Sequence, residues 1–233
     1  MPERAEPRIA VVIPTYQAGT TVAAVVARTL AAVPSACVIV VDDGSLDGTA
    51  AALTTSPALT LLHDENLGKG AALRDGIREA ITHGAAVVVT VDADGQHPPE
   101  EIPRLVAPIA EGKADLVLGA RARSGPMPLG RRLTNWLSAR LASRIGGQAV
   151  SDAQTGFGAF SRDVAERVRP TVARYEYETA FLLGALGAGF RVACVPVPTI
   201  YNGARSHFRS WADTWRVARV FARYARRIVA GAT

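Results

Sequence analysis

The chain is poor in several residue types and patterns, and each shortage excludes something. It has two cysteines in 233 residues, Cys37 and Cys194, far apart and in no C-x-x-C pair. That excludes a disulfide scaffold and a cysteine zinc site, and predicts two buried, reduced thiols. The four histidines, His63, His83, His97 and His207, lack zinc-ligand spacing. No apolar run reaches the roughly 18 residues of a membrane-spanning helix, so none is expected. The opening MPERAEPR is charged and has no apolar stretch, so residues 1–7 are expected to form a tail rather than a signal peptide. Neither G-x-x-x-x-G-K-S/T nor G-x-G-x-x-G occurs. A P-loop ATPase and a dinucleotide-binding dehydrogenase are both disfavoured. There are no repeats and no low-complexity linker.

What is present is an apolar, basic chain: 48% hydrophobic, 20% charged, formal net charge +5. It can bury the core of one large domain. The positive surplus suits an anionic partner such as phosphate or lipid headgroups. Strand-like apolar runs alternate with helical stretches: strands at 8–16, 37–45, 59–65, 85–94 and 114–121, helices at 18–33, 69–84 and from Pro98 onward. That rhythm predicts an α/β fold with a mostly parallel sheet covered by helices on both faces. Beyond Arg121 the pattern loosens. A Gly/Pro-rich loop (124–130) precedes a helix at 131–145, a strand at 155–161, a buried helix at 175–190 and a Pro-marked edge strand at 191–201.

Ligands of such sheets sit at the carboxyl ends of the strands. Here Pro14-Thr15-Tyr16, Asp42-Asp43, Asp64-Glu65-Asn66 and Asp92-Ala93-Asp94 each end a strand. Asp92 and Asp94 are two like charges one residue apart on a strand that reads as buried. On extended backbone both side chains would share a face and could share a divalent cation, with Gln96 adding an amide oxygen. A helix N-terminus or open solvent would also relieve the pair. Asp42 and Asp43, in VVDDGSLDGT, suit a base or ribose pocket or a plain turn. Lys69 opens a helix, where an anion could meet it.

IPTY, VVDDGSLDGT, ENLGKGAALRDG, VDADGQHPPE, DLVLGAR and SDAQTGFGAFS occur in this order. Together they resemble the inverting glycosyltransferases of family 2, of GT-A fold, and within them the dolichyl/polyprenyl-phosphate mannose synthase branch. The resemblance runs from about residue 8 to residue 220. It implies a Mg²⁺ or Mn²⁺ site at Asp92, Asp94 and Gln96 on a sugar-nucleotide diphosphate. It places Pro14, Tyr16, Asp42, Asp43, Asn66, Lys69 and Ala93 in the nucleotide-sugar pocket. Arg121, Arg131 and Ser206 fall at the acceptor phosphate, Asp152 at the acceptor-side acid, and Arg205 and His207 in a loop near the membrane and the diphosphate. One departure is plain: the family's Asn-Glu after Pro-Thr-Tyr is Gln17-Ala18 here.

The implied reaction moves a hexose, mannose from GDP-mannose first among the options, onto a polyprenyl phosphate at the cytoplasmic membrane face. UDP-glucose or UDP-N-acetylglucosamine donors, or a hydroxyl acceptor with Asp152 as base, are the alternatives. The non-enzyme alternative is a basic membrane adaptor, which leaves the acids at four strand tips unexplained. The chain divides into a tail (1–7), a catalytic domain (8–205) and a basic C-terminal helix (206–233). In that helix Arg209, Arg216, Arg219, Arg223, Arg226 and Arg227 fall within an arc of about 100°. It reads either as a peripheral membrane-surface helix or as a helix packed on the core. A nucleic-acid partner is not expected; a membrane partner subunit is compatible. Trp136, Phe157, Phe160 and Phe181 are expected in the core, and Tyr175 and Tyr177 beside the acceptor groove.

Overall fold

The computed structural model describes residues 8–121, 129–200 and 215–224, the side chains of 129–133 excepted. Seven strands form one sheet: β1 (Ile9–Thr15), β2 (Cys37–Asp42), β3 (Leu59–Leu62), β4 (Val87–Thr90), β5 (Leu116–Arg121), β6 (Gly158–Ser161) and β7 (Val192–Val197). The spatial order is β3-β2-β1-β4-β6-β5-β7. All neighbours are parallel except β6, which runs antiparallel between β4 and β5. The chain builds outward from β1 to β3, then returns to place β4 on the other side of β1. That reversal opens a crevice between the carboxyl ends of β1 and β4, the place where such sheets bind ligands.

β1 reads IAVVIPT and all but its first residue are buried. Its side chains alternate between two cores. Ala10 and Val12 join α3 (Lys69–Thr82) and α7 (Tyr177–Gly187) on one face. Val11 and Ile13 join α1 (Val22–Ala32) and α4 (Ile102–Ala110) on the other. Each fully buried Val or Ile contributes about 1.5–3 kcal/mol of apolar burial. α3 lies close to the sheet because Gly76 faces Val12; a Cβ there would stand 2.4 Å from Val12 Cγ1. A short helix α2 (Thr49–Leu53), the long α5 (Leu129–Gly146) and α6 (Arg162–Arg167) complete the set, with a 3₁₀ turn at Pro99–Glu101.

The fold follows the sequence expectations, with four differences. β4 stops at Thr90, so Asp92 lies just beyond the strand and Asp94 in the turn that follows, not together on extended strand. β3 is an edge strand whose residues stay partly exposed. Cys37 and Cys194 are free thiols, as expected, but half-buried rather than buried. Trp136 is 52% exposed, against the expected core position, whereas Phe157, Phe160 and Phe181 are buried. Residues 215–224 are helical, and Val217, Val220 and Phe221 pack into the main core. The apolar side of those turns is therefore spent on the protein itself.

Candidate active site

Three loops meet at the β1 end of the crevice, bound to one another by side chain to backbone bonds. Thr15 and Asp42 sit level at the tips of paired strands. Asp42, buried, accepts from Ser45 N–H at 3.2 Å. Gln17 takes a positive φ of 52° and donates its N–H to Ser45 Oγ at 2.8 Å. Its side-chain amide donates to the Tyr16 hydroxyl at 3.2 Å. Ala18 N–H reaches Thr49 Oγ1 at 2.9 Å. The Gln17-Ala18 departure thus gives a loop held shut by the second strand's turn.

Asp43 looks inward. It is buried and accepts from the Leu67 and Gly68 N–H groups at 2.9 and 2.8 Å, with His63 Nδ1 at 2.7 Å. Its carboxylate organises the loop before α3, and Asn66 donates to its backbone carbonyl at 3.4 Å. Asp42 and Asp43 therefore play different parts although they are adjacent. Pro14 is buried at the β1 tip and Tyr16 stands partly exposed beyond it.

Asp92 and Asp94 follow the end of β4. Asp92 Oδ1 lies 2.7 Å from Lys69 Nζ, and that ammonium also contacts Glu178 Oε1 at 2.5 Å. Ala93 is buried between the two aspartates. Asp94 accepts from Gln96 N–H at 2.9 Å, which closes the turn. Gly156 packs directly on Asp92: a Cβ there would lie 2.2 Å from its Oδ2. His97 stacks on Phe157 at 5.3 Å, and its Nδ1 has no hydrogen-bond partner among the described residues.

Electrostatics follow from this geometry. Burial favours neutral Asp92, yet Lys69, with help from His97 and Arg121, holds its carboxyl below the usual range. Burial and the charge of Asp92 push Asp94 up. Burial would lower Lys69, but Asp92 and Glu178 together outweigh it and keep the ammonium charged. Burial pushes Glu178 up, opposed by Lys69. Burial also lowers the His97 imidazole.

Lys69 does not open onto a vacant helix terminus. The Gly70 and Ala71 N–H groups of the first turn of α3 donate to the Ala173 carbonyl at 2.8 and 3.2 Å. Gly70 permits that approach, because a Cβ would sit 2.8 Å from both the Ala173 carbonyl carbon and Tyr177 Cβ. Tyr177 is buried and stacks on Phe181, so its ring belongs to the core.

Further along the sheet edge Arg121 closes β5. Its Nε and one terminal nitrogen grip Asp152 at 2.7 and 3.1 Å, and it donates to the Gln154 carbonyl at 3.3 Å. Asp152 is 1% exposed, so the fork holds the guanidinium in a fixed plane. The Arg131 side chain and Arg205, Ser206 and His207 lie outside the described residues. Sequence reasoning missed Glu178, Gly156 and His97. Glu178 carried a signal: an acid at the head of a helix otherwise apolar all round.

Among the described residues no cluster of three or more His, Cys, Asp or Glu side chains is arranged to hold a metal ion. A divalent ion in a nucleotide site needs fewer, one or two carboxylates completed by substrate phosphates and water. Asp92 and Asp94, the latter opposed by the charge of the former, fit that donor set.

The comparisons agree with the geometry. The family model described as Glycosyl transferase family 2 matches residues 10–169. The chain is 34% identical over 206 residues to a polyprenol monophosphomannose synthase of Mycolicibacterium smegmatis, covering 82% of this chain and 76% of that one. It is 29% identical over 188 residues to a UDP-N-acetylglucosamine–dolichyl-phosphate N-acetylglucosaminyltransferase of Methanococcus voltae, covering 71% and 75%. Among solved structures it is similar to glucosyl-3-phosphoglycerate synthase of Mycobacterium tuberculosis in complex with Mn²⁺ and UDP-glucose. That likeness has a TM-score of 0.74 and 25% identity, covering 95% of this chain and 80% of the other. With its strand-tip acids, switch-point crevice and matched motifs, the chain belongs to glycosyl transferase family 2.

Proposed function

We propose that this protein is an inverting glycosyltransferase that moves mannose from GDP-mannose onto a polyprenyl monophosphate, working as a peripheral protein on the inner face of the cytoplasmic membrane. The observation that carries the reading is Arg121, clamped by Asp152 at the end of β5 and within electrostatic reach of Asp92. In this reading an acceptor-binding guanidinium acts electrostatically on a donor-binding carboxylate.

In the reaction an acceptor phosphate oxygen forms a bond to the sugar anomeric carbon. The bond to the nucleotide's terminal phosphate oxygen breaks, and its electron pair leaves with the nucleoside diphosphate. Attack from the opposite face inverts the centre and gives a β-linked product. A phosphate monoester is already anionic near neutral pH, so no base has to remove a proton. Both Asp152 oxygens are engaged by Arg121, which makes Asp152 an orienting group in this reading. Arg121 holds the acceptor phosphate in line. Asp42 and the closed loop at Tyr16 and Gln17 flank the nucleoside. Asp94 and Asp92, with Gln96, would hold Mg²⁺ or Mn²⁺, which neutralises charge on the departing diphosphate.

Uridine nucleotides form a second reading of the donor, favoured by the names of the Methanococcus relative and the Mycobacterium neighbour. Peripheral attachment is supported by α5, where Trp136, Leu137 and Leu141 are exposed beside Arg140. No described helix is long and apolar enough to cross a membrane.

The test is direct. Purified protein is incubated with Mg²⁺ or Mn²⁺, a short polyprenyl phosphate and a panel of GDP- and UDP-sugars, and products are read by mass spectrometry. We expect one hexosyl phospholipid, lost in EDTA and lost in Asp94→Ala. A glycolipid from a UDP-sugar would replace the donor. Absence of product despite nucleotide binding would overturn the acceptor as proposed and point to a hydroxyl acceptor or a required membrane subunit.

A further inference from the structure

Lys69 is held twice by one short segment of chain. The carbonyl of Ala173 caps the helix turn that carries it, and Glu178, five residues further on, grips its ammonium. Asp92 takes the other side of the same ammonium and is backed by Gly156, which leaves no room for a side chain. The three side chains are 18–24% exposed, so solvent screens them weakly. Glu178 also borders an apolar cavity with Leu73, Tyr177 and Phe181. A carboxylate against such a wall needs a partner, and among the described residues Lys69 is within ion-pair range.

Charge counting gives this arrangement a consequence. Arg121 is balanced by Asp152. Among the described residues, Lys69 is shared by two carboxylates, Asp92 and Glu178, so its single positive charge does not cancel that of Asp92. Without Glu178, Lys69 would belong to Asp92 alone and the donor side would carry one negative charge fewer.

We infer that Glu178 is a positioning residue for the transferase site: by sharing Lys69 it keeps Asp92 from being neutralised and sets the charge with which the donor side meets a divalent cation. The inference rests on the donor-side reading above, but its test does not use catalysis. Mn²⁺ binding to the intact chain, without nucleotide, is titrated by the electron paramagnetic resonance of free Mn²⁺. Glu178→Gln keeps the size and an acceptor oxygen and should weaken Mn²⁺ binding at least fivefold. Lys69→Met should tighten it. The double variant Lys69→Met/Glu178→Gln should return close to the unsubstituted protein, a recovery that a purely structural role for Glu178 would not produce. Glu178→Asp keeps the charge and should bind within about twofold, which covers the case where the Gln variant folds poorly. Unchanged binding in Glu178→Gln, or no recovery in the double variant, overturns the inference. So does failure of the unsubstituted protein to bind Mn²⁺, and a glycolipid formed in that case would leave the transferase reading standing.

Discussion

At the scale of single residues, the site depends on how tightly Asp92 is enclosed. Gly156 touches its carboxylate, and any Cβ at 156 would collide with Oδ2 at 2.2 Å. The carboxylate belongs to a short side chain fixed by Lys69, so it must move. A displacement near 1 Å in a catalytic arrangement costs about 10²-fold. Gly156→Ala should therefore lower kcat/KM for the nucleotide sugar by about that factor. Thermal unfolding should show a melting temperature within a few degrees of the parent, since the clash is with a side chain in the crevice and not with the core. Equal activity in the two proteins would mean that Asp92 has no fixed duty. The glycine was visible in TGFG, but its purpose was not. A glycine excluded by another residue's carboxylate leaves no trace in spacing, because the contact spans two loops more than sixty positions apart.

At the scale of elements, the packing of α3 on the sheet is the most exacting joint. Gly76 brings the helix onto Val12 and Val41 with no space for a methyl group. Both valines are fully buried, so they cannot yield to solvent. Gly76→Ala should destabilise the protein by about 1–3 kcal/mol, the usual cost of overpacking, measured as a lower urea midpoint with unchanged slope. The starts of β5 and β7 are joined differently. Asp115 accepts from the Arg191 N–H at 2.8 Å and from its guanidinium at 2.9 and 2.7 Å. Arg191 holds the Asp115 carboxyl below its ordinary range. A depressed carboxylate adds stability above its unfolded pKa of about 3.9 and loses it as pH falls through the folded value. The gap in melting temperature between the parent and Asp115→Asn should thus be open at pH 7 and close as pH falls below about 4. A gap that persisted at pH 2 would assign the effect to something other than the charge. Much at this scale was legible beforehand. The continuous apolar runs gave the parallel strands, and Pro196 marked β7 as an edge. What stayed hidden was β6, antiparallel within a parallel sheet. GAFS is too short for its direction to show, since direction depends on which neighbours accept its backbone. The turn that follows Asp92 was hidden likewise, because VTVDAD reads as one strand until Gly95 is placed at positive φ.

At the scale of the whole molecule, the question is which surface meets the lipid that the proposed acceptor comes from. The sequence left the C-terminal helix either on the membrane surface or packed on the core, and residues 217, 220 and 221 are buried in the core. α5 is the better placed element. Trp136, Leu137 and Leu141 are exposed on it, Arg140 lies 5.8 Å from the Trp136 ring, and Arg144 is exposed a turn further on. Apolar groups interleaved with arginines suit the interface of an anionic bilayer, where each basic residue near the surface adds about 1 kcal/mol. α5 is also tied to the acceptor side, because Ser138 bonds Gln154, whose carbonyl receives Arg121. A helix resting on the bilayer would therefore bring the acceptor arginine near the headgroup layer. Flotation of the intact chain with vesicles of phosphatidylglycerol and phosphatidylcholine should recover it in the lipid fraction, and pure phosphatidylcholine should recover much less. Salt near 0.5 M should release most of it, since the attraction is screened within a few ångströms at that strength. Trp136→Ser/Leu141→Ser should lower binding about tenfold while leaving transfer to a water-soluble short-chain acceptor unchanged, because neither residue touches the site. If the double variant floated like the parent, attachment would lie elsewhere and α5 would be a solvent-facing helix with an unusual surface.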